Sequence, residues 1–450
     1  MIEIPKMQNR PVVRLIEPII RFMHIQAMGG VVLFCCTMVA LWAANSQFAS
    51  WYESFWNQTL GITIGNFSMS YPIWYWVNDA LMVIFFFVIG LEIKRELTTG
   101  ELSEKRKIIL PVAAALGGAI TPALIYIFII QDQPGQEGWA IPMATDIAFV
   151  VGALSILGKR VPHSLKIFLL SVAIVDDLLA VSVIALFYTE SIQISWLLIS
   201  LCGFCSIIIL NKLGVRAISV YVAMGCGIWF AVYNAGIHPT IAGVALGIMT
   251  PTRSFVDRNT VSTAFMSLGS MLNSKNNMPE INEKISMSRI AQFTAKESVA
   301  PLDRLEKQLH PWVAFAIMPI FALANAGVSF QDINSGETIS MAIIIGLVIG
   351  KPVGIVISTL IVTGFRWVKL PRGLSWPIMI GAGFLSGIGF TMSLFIATLG
   401  LDGELLELSK GGVLLGSAIS IILGCGILLA SLKSKTQNTS RLNLSNDLDH

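Results

Sequence analysis

The chain has 450 residues, 54% hydrophobic and only 13% charged, with a formal net charge of +3. Soluble domains carry about 25% charged residues, and here the apolar residues run in blocks of ~17–25, the length that crosses a ~30 Å hydrocarbon core as a helix. These figures exclude a soluble globular domain and make an all-α polytopic membrane protein, with the lipid bilayer as its surroundings and no nucleic-acid partner, the expectation.

Residues 1–26 hold Lys6, Arg10, Arg14 and Arg21 and read as a cytoplasmic interfacial segment. A cleaved signal peptide is the alternative, but the lead-in is long and no clear A-x-A site follows. The membrane domain then occupies 27–432, with about twelve spans at roughly 27–46, 72–91, 108–130, 140–158, 164–188, 195–212, 215–232, 238–250, 311–329, 338–364, 376–399 and 411–432. Between the first two spans, in 58–71, "LGITIGNFSMSYP" alternates apolar and polar residues about Gly65-Asn66, which predicts a small β-hairpin. An isolated hairpin is marginal in water, so it packs on another surface or against a second copy. Residues 252–310 form a polar insertion, partly disordered until "LDRLEKQLH" predicts a short helix. The polar tail 433–450 is expected to be disordered.

Positive charge orients the chain. Connections with Lys94, Arg95, Lys105, Arg106 and Lys107, then Lys159 and Arg160, then Lys212 and Arg216, alternate with 47–71, 131–139, 189–194, 233–237 and 330–337, which contain no Lys or Arg. The positive-inside rule puts both termini in the cytoplasm and the hairpin outside. Lys410 is the exception on the depleted side. The six cysteines fall in predicted spans, so no disulfide framework is implied.

Two spans carry signs of irregular backbone. In "GWAIPMATDIAFVVGAL", Pro142 is followed by Thr145 and Asp146; "MIGAGFLSGIGFTMSLFIATLG" holds Gly381, Gly383, Gly387 and Gly389. Such glycines can serve close helix packing, but broken helices in two well-separated spans also mark a mid-membrane binding site in transporters. The ionisable residues deep in spans are few: Asp79, Asp146, Asp176, Asp177 and Lys351, with Glu92 near a span end. Each central Asp costs ~2.5–3.5 kcal/mol to insert, so the adjacent pair in "VAIVDDLLAVSVIALF" needs an offsetting partner or a use. Neighbouring helical residues point ~100° apart. One aspartate can therefore pair with Lys351 while the other faces a watery cavity near Asp146. Carboxylates ~6 Å apart repel by roughly 3 kcal/mol at an effective dielectric of ~20. That favours a proton on one of them, which Na⁺ or Li⁺ must displace, and such competition suffices for antiport. Two other functions remain open: a passive cation channel, and an intramembrane aspartate-dependent enzyme. The second is disfavoured because no further acid lies within two turns after the pair and no G-x-G-D context is present.

The segments "WVNDALMVIFFFVIGLEIKREL", "EGWAIPMATDIAF", "GKRVPHSLKIFLLSVAIVDDLLA", "IALFYT", "LHPWVAFAIMPIFALANAGVS", "IGKPVGI" and "GIGFTMSLFIA" stand in order and resemble the bacterial NhaA sodium/proton antiporter family. Interrupted helices are a feature of that family. The resemblance covers about 25–432 outside the insertion. It implies twelve helices in inverted repeats, the fourth and eleventh broken and crossing at mid-membrane, in a bacterial inner membrane. It implies electrogenic, pH-regulated exchange of cytoplasmic Na⁺ or Li⁺ for more than one external proton by alternating access, serving Na⁺ homeostasis, without an enzymatic activity or a cofactor. By it Asp177 is the essential ion ligand with Asp176 its partner, Lys351 pairs with an aspartate, Thr145 and Asp146 mark the fourth-span break, and the hairpin is a homodimer contact. Asp79 is a candidate for ion access. Glu92, Arg95, Glu96, Arg304 and Glu306 match the family's pH-responsive positions, whereas Asp303 and Lys307 depart from the usual lysine and histidine. His238 matches a family histidine, for which packing is as good a role as pH response.

Overall fold

The computed structural model describes residues 26–446, apart from 65–66, 190–191, 216–217, 255, 257–259, 264–265, 267–280, 330–335, 366–367 and 372. The expected N-terminal segment 1–26 lies outside the described residues except for its last position.

Helix α1 (Gln26–Ala44) turns sharply into α2 (Ala49–Trp56), a bend of 114°. Strands β1 (Thr59–Ile64) and β2 (Phe67–Pro72) pair antiparallel, from Thr59 opposite Pro72 to Ile64 opposite Phe67. Pro72 closes the ladder and, with its fixed φ, starts α3 (Ile73–Thr98). Then come α4 (Lys105–Ile130), a 3₁₀ segment Gln136–Met143, α5 (Ile147–Leu157), α6 (His163–Phe187), α7 (Ile194–Lys212), α8 (Ile218–Asn234) and α9 (Thr240–Met249). After the insertion come α10 (Ile281–Glu297), α11 (301–325), α12 (Thr338–Gly364), α13 (Trp376–Ser386), α14 (Phe390–Gly400) and α15 (Gly403–Asn446).

Among the described residues, seven helical stretches are long and apolar enough to cross a membrane: Ile73–Thr98, Lys107–Ile130, Gln136–Leu157, His163–Phe187, Ile194–Lys212, Thr338–Gly364 and Gly403–Leu432. Counting the bent pairs α1–α2 and α13–α14 as one span each raises this to nine. The apolar α8 and α9 are shorter, and α11 opens on the charged turn that begins at Pro301. The chain is therefore a multi-pass helical membrane protein. Its outer surface agrees: α7 buries only Ser200 and Ile207 and presents Leu198, Ile199, Leu201 and Ile209 outward, as a lipid-facing helix does.

Glycines let the central helices approach closely. A Cβ on Gly354 of α12 would strike the carbonyl of Gly117 on α4, and one on Gly350 would stand 2.8 Å from the Pro122 Cα. This contact seats Lys351, the next residue of α12, against α4. Among the described residues, three helices also contain a π-helical turn, at Val77–Leu81, Val313–Ile317 and Gly346–Gly350. Such turns recur at functional sites because one extra residue re-aims the side chains beyond it; here the first contains Asp79 and the third ends just before Lys351.

Two stretches differ from the sequence expectation. Helix α10 lies in the insertion, where no clear periodicity announces it, and it leads through Ser298–Ala300 into α11, whose first turns coincide with the expected "LDRLEKQLH" helix. The last helix continues to Asn446, into the tail expected to be disordered. No Pro or Gly occurs between Lys433 and Asn446 to stop it.

Candidate functional site

Both irregular spans are interrupted, and their interruptions meet. The 3₁₀ segment ends at Met143, Ala144 is extended, and α5 begins after Asp146. Helix α13 ends at Ser386, and α14 begins after Gly389 at an angle of 44° to it. Each break leaves backbone groups without helical partners, which is costly away from water. Several of them are satisfied across the junction. The Asp146 N–H donates to the Ile388 carbonyl at 2.7 Å, and Ser393 Oγ donates to the Ile141 carbonyl at 2.7 Å. The Phe149 and Phe390 rings meet edge to face, with centroids 4.6 Å apart.

Asp146 closes the start of both half-helices. Its Oδ1 accepts from the Phe149 N–H at 3.1 Å, as an N-cap for α5. Its Oδ2 accepts the Thr391 N–H at 3.1 Å and the Thr391 hydroxyl, in the first turn of α14. A single carboxylate thus faces the positive ends of two helix dipoles.

Lys351 and Asp176 form a sealed pair, Nζ to Oδ2 2.9 Å, with both side chains enclosed. The Lys351 ammonium also donates to the Met143 carbonyl, which the end of the 3₁₀ segment leaves free. Thr145 Oγ1 stands 2.7 Å from Asp176 Oδ2 and 2.9 Å from the Ser386 carbonyl; both are acceptors, so its one proton alternates between them. The other Asp176 oxygen, Oδ1, is buried without a hydrogen-bond partner. Asp177, one position along α6 and 3% exposed, makes no hydrogen bond or ion pair among the described residues; the charges acting on it are those of Asp176, Glu92, Asp146 and Lys351. No group of three or more His, Cys, Asp or Glu suited to hold a metal ion occurs among the described residues. The arrangement has the character of a place where a monovalent ion and a proton alternate on carboxylates.

Asp79 lies apart from this group. Its Oδ1 is 3.7 Å from His238 Nε2. Beside it, the Asn78 and Asn325 side-chain amides exchange hydrogen bonds at 3.2 and 2.7 Å. His238 Nδ1 is 2.7 Å from Thr240 Oγ1, and its ring packs edge-on to Phe395.

The residues expected to respond to pH gather where α3 and α11 meet. Arg95 pairs with Glu306 and stands 3.6 Å from Glu96; Arg304 reaches Glu297 of α10 at 3.9 Å and donates to the Lys296 carbonyl at 3.2 Å. Burial pushes the Glu306 carboxyl up from its usual range, with Arg95 pulling it back and Asp303 and Glu96 adding to the rise. Glu92 shares the field of Arg95, Glu306 and Glu96 and also acts on Asp177, so it links the two clusters electrostatically. Asp303 and Lys307 are exposed.

Sequence reading missed Thr391, although it stands two positions after the last glycine of the run, and Glu297, whose helix has no strong pattern. The carbonyls of Met143, Ser386 and Ile388 have no side-chain signature; only the breaks hinted at them.

Buried charges gathered where two interrupted, membrane-length helices meet define a secondary ion transporter. The family model for Na⁺/H⁺ antiporter 1 matches residues 20–428. A protein of Rhodopirellula baltica named Na(+)/H(+) antiporter NhaA is 45% identical over 428 residues, covering 95% of this chain and 97% of its own. One of the same name from Bartonella henselae is 42% identical over 439 residues, 96% of each chain. Na(+)/H(+) antiporter NhaA 2 of Vibrio vulnificus is 41% identical over 412 residues, 91% of each. The chain belongs to the Na⁺/H⁺ antiporter 1 family.

Proposed function

We infer that this protein is a transporter that exchanges Na⁺ for protons, with Asp177 as the principal ligand of the transported ion and Asp176 as its partner. The observation that carries the assignment is the asymmetry of the pair. Asp176 is committed to Lys351 and Thr145, whereas Asp177 beside it has no such partner. A partnerless carboxylate in an apolar setting takes up either a proton or a small cation. An ion on Asp177 also adds positive charge beside Asp176 and weakens its hold on Lys351, whose ammonium can then release a proton.

The finer reading follows the same lines. The third to fifth spans and the tenth to twelfth each run as a long helix, an interrupted span and a long helix, which supports inverted repeats whose broken members cross at mid-membrane within a twelve-span fold. Both termini are cytoplasmic on the charge alternation, and the two-stranded sheet faces outward as a homodimer contact. Li⁺ accompanies Na⁺ as cargo, more than one proton enters per cation, and Asp79 lies on the outer approach. Glu92, Arg95, Glu96, Arg304 and Glu306 set the pH response. The location is a bacterial inner membrane.

The test is dye-reported ΔpH in everted vesicles, with Na⁺, Li⁺ or K⁺ added across a pH series. Na⁺ should collapse the gradient for the wild type. Asp177→Asn should insert and fold normally but give no response. Substantial exchange by a well-expressed mutant would sink the assignment.

A further inference from the structure

Helix α2 leaves α1 at a bend a little past a right angle, so if α1 crosses the bilayer, α2 lies nearly along its surface. Its eight residues and their flanks divide into three faces at helical spacing. Ala49, Tyr52 and Trp56 turn inward. The Tyr52 hydroxyl donates to the Leu323 carbonyl near the end of α11, its ring packs on Gly327, and nearby Asn45 reaches the Val328 carbonyl at 2.8 Å. Ser50, Glu53, Ser54 and Asn57 form an exposed polar face. Between these faces stand Phe48, Trp51 and Phe55, at i, i+3 and i+7, with 54%, 64% and 37% of their surface exposed. Trp51 and Phe55 stack at 5.7 Å, and Phe48 meets Trp42 at 5.7 Å. Trp42 itself continues the outward apolar side of α1, with Phe34, Met38 and Val39.

We propose that α2 is an interfacial anchor, its Phe48–Trp51–Phe55 face sunk into the boundary between lipid headgroups and acyl chains. An uncovered aromatic face of this size would be costly in water, and aromatic side chains concentrate at this boundary. Its continuity with the outward apolar side of α1 points to lipid rather than to another protein. Charge defines the kind of lipid contact. Residues 47–71 contain no Lys or Arg, and α2 carries only Glu53. Binding therefore rests on apolar insertion to a depth of ~5–10 Å and not on attraction to anionic headgroups. Through Tyr52, with Asn45 beside it, the anchor fixes the depth of the α11 end. This inference does not depend on which ion is carried.

The experiment uses the full chain in phosphatidylcholine vesicles, with and without phosphatidylglycerol, made with lipids brominated at different depths. The fluorescence difference between wild type and Trp51→Phe isolates Trp51; Phe55→Trp supplies an added signal on the same face should that difference be small. Bromines near the headgroup end of the chains should remove most of either signal, deeper bromines less, equally in both lipid mixtures. Aqueous iodide should leave it largely intact. Quenching by iodide alone would place the face in water, and protection from both quenchers would bury it against a second copy or another protein. Quenching that requires phosphatidylglycerol would make the contact electrostatic. Each of these three results overturns the proposal.

Discussion

Lys351 is an ammonium with no exposed surface, and its compensation comes from Asp176 and the Met143 carbonyl. Breaking a buried pair by removing one partner costs ~3–5 kcal/mol, because the other charge is left uncompensated. Lys351→Ala should therefore lower the melting temperature in detergent as well as exchange. Unchanged melting with full transport would mean that the pair contributes to neither. Asp146 invites a second test. It caps α5 and also receives the Thr391 N–H and hydroxyl, and loss of one N-cap typically costs ~1 kcal/mol. Asp146→Ala removes both caps and should destabilise by about 2 kcal/mol, read as an earlier unfolding transition, whereas Thr391→Val, which keeps the N–H contact, should cost less. Equal losses would show that the Thr391 hydroxyl, and not the shared carboxylate, holds the junction. The charged residues were legible in the sequence because acids and a lysine stand out in apolar spans. Which aspartate takes Lys351 was not legible: adjacent helical positions differ only by ~100° of rotation, and that choice is made by the packing of α6 and α12 on α4 and by the fourth-span break.

At the scale of elements, the interruptions were visible as Pro142 with Thr145-Asp146 and as the glycines of the eleventh span, and the structure breaks at both. Their meeting was not visible, since it is made by backbone N–H and carbonyl groups that every residue carries. Helix α10 was missed for a different reason. It is tied to α11 by Arg304 bonding back to Lys296 and Glu297, a tertiary contact with no periodic trace. Where α3 and α11 meet, Glu306 allows a prediction with a definite sign. Its folded value lies above the ordinary 4.5, so its contribution to stability is fully present below pH 4.5 and is lost as pH rises through the folded value. Glu306→Gln mimics the protonated form. The mutant should match the wild type in melting temperature below pH 4.5 and melt higher near neutrality. A mutant that melts lower at neutral pH would mean that the Arg95 pair outweighs the burial of Glu306.

For the whole molecule, the hairpin strands pair on each other and β2 passes directly into α3, outside the buried site. If the hairpin is the proposed homodimer contact, deleting residues 60–69 should shift the detergent-solubilised protein from dimer towards monomer, as sizing with light scattering would report, while exchange in vesicles remains measurable. An intact dimer would mean that another surface holds it. One feature of the junction bears on how the molecule can move. Asp146 fastens α5 and α14 together, although 243 positions separate Ile147 from Phe390 in the chain. The two broken spans consequently share a rivet rather than a hinge: a displacement imposed on either is handed to the other through a carboxylate a few ångströms across. An ion that alters the hold of Asp176 on Thr145 disturbs the residue next to that rivet. A binding event of one elementary charge can thereby steer two distant stretches of the polypeptide at once, with the slack of a few hydrogen bonds.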